Sequence, residues 1–418
     1  MNGVGVKMKK TGCIPTKKQL DFLSWEFGVF FHFGIRTFYE GHRDWDMKEM
    51  PLSGFNPTDF SAEDWCRAVA SSGAKYAILT AKHHDGFANW PSAYTEYSVK
   101  NTPWRGGKGD VVAEFVAACR KYGLKVGLYY SPAQFGSVTM NADEYNDYFV
   151  NQISELLTNY GKIDYLWFDG CGSANHKYDE KRLIAAIRAL QPEILIFGMW
   201  DPDTMWCGNE GGYSRYPNVY EKDVSNLSGF GRSGDSAEGM RFLPDECDCR
   251  IRDMWFYGDE DKDKLKSLDA LMGIYEHSVG KGSNLLLNIG PDRRGRLPEE
   301  DKDRLSEFGR EIKRRYSSPV PATTVKDGDV YYLNLNCERD VNCIVIEEDI
   351  AKGQSVFEFD IDAGYSEEGG YPFTLYRGAT IGKKAICSFP TVHARSLRIR
   401  IKQHDGEYNL NSVKVYKY

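Results

Sequence analysis

The chain has 418 residues, about two to three times the usual length of a domain, which favours either one large domain with an appendage or two domains of middle size. Hydrophobic residues make up 41% and charged residues 27%, enough to build a sizeable core, so a disordered chain is excluded. The net charge of -7 without a basic stripe argues against nucleic-acid binding, and no apolar run approaches the ~20 residues that cross a bilayer. We expect a globular protein without nucleic-acid or membrane partners.

The amino-terminal residues 1–18 are basic but lack the apolar stretch of a secretory signal, so a cytoplasmic location is expected unless a leader has been removed. The ten cysteines are scattered rather than spaced as a disulfide framework, and reduced thiols are expected. Cys247 and Cys249 form a Cys-x-Cys pair, but no second pair or suitably spaced histidine completes a zinc site. Neither a metal nor another cofactor is predicted.

Short apolar runs alternate with segments of helical period in the first three quarters of the chain, which predicts strand–helix units and a parallel sheet. The predicted strands cover residues 28–33, 76–80, 126–130, 165–168, 194–197 and 285–289. The predicted helices cover residues 62–71, 110–122, 142–159, 179–190, 262–278 and 299–315. Six such units, with room for one or two more between residues 200 and 260, favour a (β/α)8 barrel over an open doubly wound sheet.

The pattern changes near the end of the chain. All nine tryptophans lie between Trp25 and Trp255, and after Pro319 and Pro321 short alternating runs follow one another. These runs predict β-strands over residues 330–335, 343–347, 355–361, 397–401 and 413–418. We expect a barrel over residues 1–318 and a β-sandwich over residues 319–418.

Polar side chains cluster where the predicted barrel strands end: His32 after the first strand, His83 and His84 after the second, and Tyr129 and Tyr130 at the end of the third. In a barrel these ends meet at one rim, where substrates bind. Neutral imidazoles offer one donor and one acceptor each and suit the hydroxyls of a small polyol. Neighbouring histidines point to opposite faces and serve one metal poorly. A buried structural histidine is the alternative interpretation.

Asp169 directly follows the apolar run at residues 165–168, where a buried carboxylate is costly unless it is paired or functional. A structural aspartate that caps the next loop is the alternative. A retaining glycosidase needs a second carboxyl group about 5 to 5.5 Å from the first. The candidates are Asp201, Glu210, Glu246 and Asp248. Glycines on both sides of Glu210 favour that residue, because they let the backbone place one acid in a cleft.

Taken in order, these motifs resemble the α-L-fucosidases of glycoside hydrolase family 29. The resemblance covers nearly 300 residues. It is carried by EFGVFFHFG at 26–34, HHDGF at 83–87, WRGGKGDVV at 104–112, WFDG at 167–170, GNEGGY at 208–213, the segment 246–257 with its ECD, IR and WFY, NLLLNI at 284–289 and PDRRG at 291–295.

The resemblance implies a barrel followed by a β-sandwich, and a double displacement that removes terminal fucose from oligosaccharides or glycoconjugates with retained configuration. It makes Asp169 the nucleophile and Glu210 the acid/base of the branch that prefers α-1,3 and α-1,4 linkages. The implied sugar-binding residues are His32, Asp44, Trp45, His83, His84, Tyr130, Trp167 and Trp255. Tyr130 is chosen over Tyr129, and Asp44 stands where many members carry a glutamate that is one methylene longer.

Two alternatives to this function stay open at the level of sequence. One is an α-L-galactosidase, and the other is a fucose-binding protein without turnover. The C-terminal domain is expected to buttress the barrel rather than to bind glycans itself. The natural glycan, the balance of hydrolysis and transfer, and the oligomeric state are not predicted.

Overall fold

The computed structural model describes residues 12–39, 41, 49–134, 140–224, 239–365 and 370–418. The strands of the first part are β1 Phe27–Phe31, β2 Tyr76–Lys82, β3 Lys125–Tyr130, β4 Tyr165–Phe168, β5 Leu195–Phe197, β6 Met205–Trp206, β7 Glu221–Asp223, β8 Met240–Phe242, β9 Asp245–Arg250 and β10 Asn284–Asn288. The α-helices are α1 Lys17–Trp25, α2 Ala62–Ser71, α3 Val111–Lys121, α4 Ala142–Asn159, α5 Glu180–Leu190, α6 Leu268–Ser278 and α7 Glu299–Tyr316. No helix of the described ranges is long and apolar enough to cross a membrane.

Eight of these strands form one parallel sheet in the order β5-β4-β3-β2-β1-β10-β9-β6. A parallel bridge between Phe197 and Thr204 links the end of β5 to the residue before β6, so the sheet is a nearly closed barrel. The predicted barrel is confirmed. The units that the sequence left unassigned between residues 200 and 260 are β6 and β9, and no described residue from 198 to 244 is α-helical.

Local sequence accounts for most element boundaries. The side chain of Asp110 accepts a hydrogen bond from the Ala113 N–H and caps the start of α3, as a helix N-cap does. The helix predicted over residues 262–278 is shorter than expected, because Ser267 caps α6 and residues 259–264 form a separate 3₁₀ turn. All seven residues of β2 are buried, as expected for a strand covered on both faces.

Helix α1 closes the end of the barrel where the strands begin. Phe22 and Trp25 pack edge-on or tilted against Tyr76 and Tyr165, which are the first residues of β2 and β4. The carboxyl ends of the strands therefore form the open mouth, the end at which barrel enzymes place their sites.

The C-terminal part contains β11 Thr323–Asp327, β12 Val330–Glu348, β13 Val356–Gly364, β14 Phe373–Gly378, β15 Ala385–His404 and β16 Leu410–Tyr416. They form one antiparallel sheet in the order β11-β12-β15-β13-β14, with β16 paired to β12, rather than two separate sheets. The long strands β12 and β15 change register along their pairing, and their buried residues share one core with those of β13. Such irregularities bend a sheet, and here they let one continuous sheet enclose the core of the expected sandwich. The predicted boundary at residues 318/319 falls between α7 and β11.

The C-terminal sheet packs firmly on the barrel. Lys384 forms an ion pair with Glu26 at the end of α1, and the Lys281 ammonium lies 4.8 Å from the ring centre of Tyr216 and 5.2 Å from that of Tyr376. The hydroxyl of Tyr216 accepts a hydrogen bond from the Ala379 N–H. These contacts hold the segment that follows residues 208–213, which is consistent with a buttressing role.

Candidate active site

The four strand ends of β1 to β4 bring a connected group of side chains to the mouth of the barrel. The His32 and His83 rings lie 5.5 Å apart, and those of His83 and His84 lie 4.4 Å apart. Tyr129 stacks on His83 and donates a hydrogen bond to Asp169. Of the polar residues that the sequence placed at one rim, His32, His83, His84, Tyr129 and Asp169 therefore meet there.

Asp169 is the centre of this group. Its Oδ2 accepts a hydrogen bond of 2.8 Å from the Tyr129 hydroxyl and lies 3.4 Å from His84 Nε2, while its Oδ1 accepts one of 2.9 Å from the Cys171 N–H. Burial opposes ionisation, but the charge of His84 and these hydrogen bonds outweigh it and lower the pKa of Asp169. The side chain is still 24% exposed, so an ionised carboxylate faces the mouth.

His84 differs from the other two histidines. Burial would lower its pKa, but the neighbouring Asp169 carboxylate raises that pKa from 6.5 to about 9. The Asp169 carboxylate thus favours the protonated ring at His84 over the neutral imidazole that would suit a sugar hydroxyl. The protonated ring forms an ion pair with the carboxylate.

His32 and His83 are neutral. Burial lowers the pKa of His32 to about 3 and that of His83 well below its usual range. His32 Nδ1 is hydrogen-bonded to Asn288 Oδ1 at 2.7 Å, whereas the buried His83 Nδ1 has no hydrogen-bond partner in the described part of the chain. Two uncharged imidazoles thus line the mouth beside the charged pair.

An aromatic stack forms one wall. The ring of Trp167 lies 5.4 Å from Tyr129 and 4.0 Å from Phe197, both nearly parallel to it. The Trp167 indole N–H donates to the buried Glu246 at 2.8 Å, and Tyr76 donates to the same carboxylate at 2.7 Å. Burial raises the pKa of Glu246 to about 7 despite these hydrogen bonds. Glu246 therefore fixes the position of the Trp167 indole in this wall through a buried hydrogen bond.

The structure corrects the choice between the two tyrosines of β3. Tyr130 is fully buried on the outer face of the strand, where its hydroxyl donates to Gln152 of α4 at 2.7 Å and its ring stacks on Phe149. Tyr129 points into the barrel, because successive side chains of a strand alternate between faces. The residue that contacts Asp169 is Tyr129.

Glu210 lies on the other side of the mouth. Gly208 and Gly212 both have positive φ, which glycine adopts without strain, and they fold the loop so that Gly211 bridges to Cys249. The Glu210 carboxylate is 47% exposed and lies 3.6 Å from the Arg250 guanidinium. Glu210 is the most exposed of the four candidate second acids. The Asp201 side chain is 36% exposed, and Glu246 and Asp248 are buried.

Arg250 and Trp255 connect Glu210 to the histidines. The Arg250 guanidinium lies 5.2 Å from the ring centre of Trp255, and Trp255 lies 4.8 Å from His32. After burial and the hydrogen bond to Asn288, the pKa of His32 is raised by the charge of Asp169 and lowered by those of His84 and, last, Arg250. His32 therefore lies between the two sides of one site.

The other candidate acids have partners of their own. Asp201 pairs with Arg188 at 2.9 Å and with Arg241 at 2.9 Å. Asp248 accepts a hydrogen bond of 2.7 Å from the Trp206 indole, and burial, with smaller contributions from the charges of Glu210 and Glu246, raises its pKa to about 8. Both Asp248 and Glu246 are buried.

These features agree with the comparison with known proteins. A sequence model described as alpha-L-fucosidase matches residues 15–315. The chain belongs to the alpha-L-fucosidase family. The protein is therefore a glycoside hydrolase by family membership.

Three relatives of this fucosidase-family chain each cover more than nine tenths of its length. Alpha-L-fucosidase 1 of Arabidopsis thaliana is 32% identical over 433 residues, which cover 92% of this chain and 84% of the relative. A glycoside hydrolase family 29 member from an unknown rumen bacterium is 34% identical with a TM-score of 0.87, covering 97% of this chain and 77% of that one. A family 29 fucosidase of Ruminococcus gnavus, solved in complex with fucose, is 26% identical with a TM-score of 0.86, covering 100% and 97%.

At this fucosidase-family site sequence reasoning considered Tyr129 but chose Tyr130, and it missed the support from Glu246 and the position of Arg250. The alternation of charged residues with cysteines in Glu246-Cys247-Asp248-Cys249-Arg250 was a usable signal, because it gives β9 one charged face. Of the other predicted residues, Asp44 and Trp45 lie outside the described residues. His32, His83, His84, Trp167, Asp169, Glu210 and Trp255 lie around the mouth.

Proposed function

We propose that this protein is a retaining exo-α-L-fucosidase that hydrolyses terminal α-linked fucose of oligosaccharides or glycoconjugates. The observation that carries the proposal is Asp169, an ionised carboxylate held at the mouth of the barrel by Tyr129, His84 and the Cys171 N–H. The Ruminococcus gnavus relative, solved with fucose, supports the choice of sugar.

In the first step, a carboxylate oxygen of Asp169 attacks the anomeric carbon of fucose. The bond from that carbon to the leaving sugar breaks, and its electron pair goes to the leaving oxygen, which takes a proton from Glu210. This step requires Asp169 to be ionised, and the lowered pKa of Asp169 supports that role. The product is a fucosyl ester of Asp169.

In the second step, the Glu210 carboxylate takes a proton from a water molecule. The water oxygen bonds to the anomeric carbon while the ester bond to Asp169 breaks, which restores the Asp169 carboxylate and protonated Glu210. Two inversions leave the released fucose in its original anomeric configuration. The exposure of Glu210 supports this role, since water and a leaving sugar both need access to it.

The remaining residues suit a 6-deoxy sugar. His32 and His83, whose Nδ1 has no hydrogen-bond partner among the described residues, offer donors or acceptors to hydroxyl groups. The aromatic rings of Trp167 and Trp255 offer apolar surface that a methyl group prefers and a hydroxymethyl group does not. We propose these residues, with Asp44 and Trp45, as the sugar-binding set.

We further propose a preference for α-1,3 and α-1,4 linkages. The proposal rests on the Gly-Asn-Glu motif, in which Glu210 comes from a loop beside β9 rather than from a strand end. A panel of linkage-defined fucosylated oligosaccharides tests it, and equal turnover of α-1,2-linked fucose would contradict it.

The activity is tested by following aryl α-L-fucoside hydrolysis by proton NMR, with the matching α-L-galactoside as control. We expect α-L-fucose to appear first and to mutarotate later. Azide added to an Asp169→Gly variant should give the fucosyl azide of inverted configuration, whereas azide added to Glu210→Gly should give the retained one. Initial release of β-L-fucose, or exclusive turnover of the galactoside, would contradict the proposal.

A further inference from the structure

Ser131, the residue that follows β3, is held on three sides. Its N–H donates to the Lys82 carbonyl at 2.9 Å, and its own carbonyl accepts a hydrogen bond of 2.7 Å from Lys82 Nζ. Its hydroxyl lies 2.7 Å from the Ala133 carbonyl and 2.5 Å from His84 Nδ1. The side chain is fully buried, so water does not compete for these bonds.

Counting protons fixes the direction of the bond between Ser131 and His84. The serine hydroxyl has one proton and two neighbours, and the Ala133 carbonyl can only accept. If the hydroxyl donated to His84, the buried Ala133 oxygen would face a lone pair at 2.7 Å, which is unfavourable. The hydroxyl therefore donates to Ala133 and accepts from His84, which places a proton on Nδ1.

The opposite nitrogen of the same ring faces the carboxylate. His84 Nε2 lies 3.4 Å from Asp169 Oδ2, and an unprotonated Nε2 there would set a lone pair against a negative charge. With Nδ1 already protonated, a proton on Nε2 makes the ring a cation. Both nitrogens then point at acceptors.

We propose that Ser131 is a positioning residue of this site, whose hydroxyl accepts the Nδ1 proton of His84 so that His84 faces Asp169 as an imidazolium. The inference rests on the proposed function in making Asp169 the nucleophile. In that role the imidazolium keeps the carboxylate ionised before the attack and stabilises it again when the ester breaks. Ser131 touches neither the sugar nor Asp169, and acts through His84.

Other charged or titratable groups also face His84. Asp169 and Cys171 face it from the end of β4, Asp85 and His83 from its own segment, and His32 from the end of β1. Asp85 is paired with Arg36 at 3.7 Å. The two imidazoles stay neutral, so Asp169 is the principal counter-charge, and the raised pKa of His84 agrees with the proton count.

The first test does not depend on activity. The wild-type protein labelled with ¹⁵N at histidine is titrated by NMR, and the signals of His84 are identified as those missing from His84→Gln. We expect both ring nitrogens of His84 to have imidazolium shifts at pH 7 and to titrate near pH 9. A neutral His84 ring at pH 7 would overturn the inference while leaving the proposed function standing.

The second test isolates the serine hydroxyl. In a Glu210→Gln background, with a fucosyl substrate whose leaving group needs no protonation, the acid no longer sets the alkaline limb of kcat/KM. We expect Ser131→Ala to move that limb down by about one pH unit or more, a loss of about tenfold at alkaline pH for each unit. Ser131→Thr, which keeps the hydroxyl, should restore the limb.

The control is Ser98→Ala, because Ser98 is also a fully buried serine and its hydroxyl has no hydrogen-bond partner within the described ranges. It should leave the limb in place. Equal shifts in the alanine and threonine variants of Ser131, or no shift in either, would overturn the role of the hydroxyl. If the wild-type protein turns over no fucoside, the proposed function fails, and the NMR titration still decides the state of His84.

Discussion

The two halves of the barrel mouth are built differently. On the side of β1 to β4, regular strand–helix units carry Asp169 among neighbours that hydrogen-bond to it and to one another. On the side of β5, β6 and β9, no described residue from 198 to 244 is α-helical, and Glu210 lies on a glycine-flanked loop. Asp169 is 24% exposed and has three polar contacts, whereas Glu210 is 47% exposed with one ion pair at 3.6 Å.

This difference matches two chemical tasks. A nucleophile works best when its charge and orientation are fixed in advance, because no reorganisation is then needed during the reaction. An acid that gives a proton to the leaving sugar and later takes one from water needs access on both occasions. The regular half of the mouth, formed by β1 to β4, therefore suits the ester-forming step. The irregular half, which carries Glu210, suits proton transfer.

The largest expected loss of activity comes from removing the charge of Asp169 in the regular half of the mouth. Asp169→Asn keeps the shape of the side chain but cannot form the ester, so kcat on any fucoside should fall by a factor of about 10⁴ or more. Steady-state kinetics on an aryl α-L-fucoside measure it, with circular dichroism as the control for folding. Activity within tenfold of wild type would break the comparison.

Removing the acid Glu210 from the irregular half should lower activity by an amount that depends on the leaving group of the substrate. Glu210→Gln should lose about 10²- to 10⁴-fold on oligosaccharides, whose leaving oxygen needs a proton. The loss should be far smaller for the first step with a dinitrophenyl fucoside, whose leaving group departs as an anion. Pre-steady-state bursts of dinitrophenol separate the steps. Equal losses on both substrates would mean that Glu210 is not the acid.

A matched pair of tyrosines sharpens the distinction between site and scaffold. Tyr129→Phe removes a hydrogen bond to a charged group and should lower kcat/KM by about 10- to 100-fold. Tyr130→Phe removes a buried bond to Gln152 and should cost about 1 kcal/mol of unfolding free energy with kcat unchanged. Kinetics and urea unfolding of both variants give the answer, and the reverse pattern would restore the original choice of Tyr130.

The smallest effect on catalysis is expected from substitution of Glu246, which hydrogen-bonds to Trp167 of the aromatic wall. Its pKa is raised by burial from 4.5 to about 7, so the folded state binds a proton more tightly than the unfolded state. The unfolding free energy should therefore fall as pH rises from about 4.5 to about 7, by at most about 3 kcal/mol, and stay at the lower level above that.

Glu246→Gln removes this titration but keeps an acceptor for Trp167. The stability of the variant relative to wild type should thus rise between pH 4.5 and 7, while kcat changes by less than about tenfold. Urea unfolding at pH 5 and pH 8 measures the difference. Parallel stability curves for the two proteins would show that Glu246 is ionised throughout.

The same contrast explains what the sequence could predict. The regular half follows from apolar periodicity, capping residues such as Asp110, and the rule that polar residues after parallel strands meet at one rim. Side chains alternate between the two faces of a strand, but this alternation alone does not decide which of Tyr129 and Tyr130 points inward. Both residues follow an apolar run, and the register depends on the neighbouring strands.

The irregular half could not be predicted in the same way. The strand β6 has two residues and no preceding helix, so it leaves no periodic pattern. The charge of His84 depends on contacts with Asp169 and Ser131, which lie 85 and 47 positions away along the chain and meet only in the fold. The flanking glycines made Glu210 the favoured second acid, the resemblance to the fucosidases gave it the acid/base role, and its loop geometry came from the structure.

The central claim is that Asp169 carries the sugar during turnover. A 2-deoxy-2-fluoro fucosyl fluoride slows the second step and lets the ester accumulate, and peptide mass spectrometry then locates the added group. The account predicts one label per chain, on Asp169, and none on Asp169→Asn. A label on another residue, or inactivation without any label on the 165–171 segment, would contradict it.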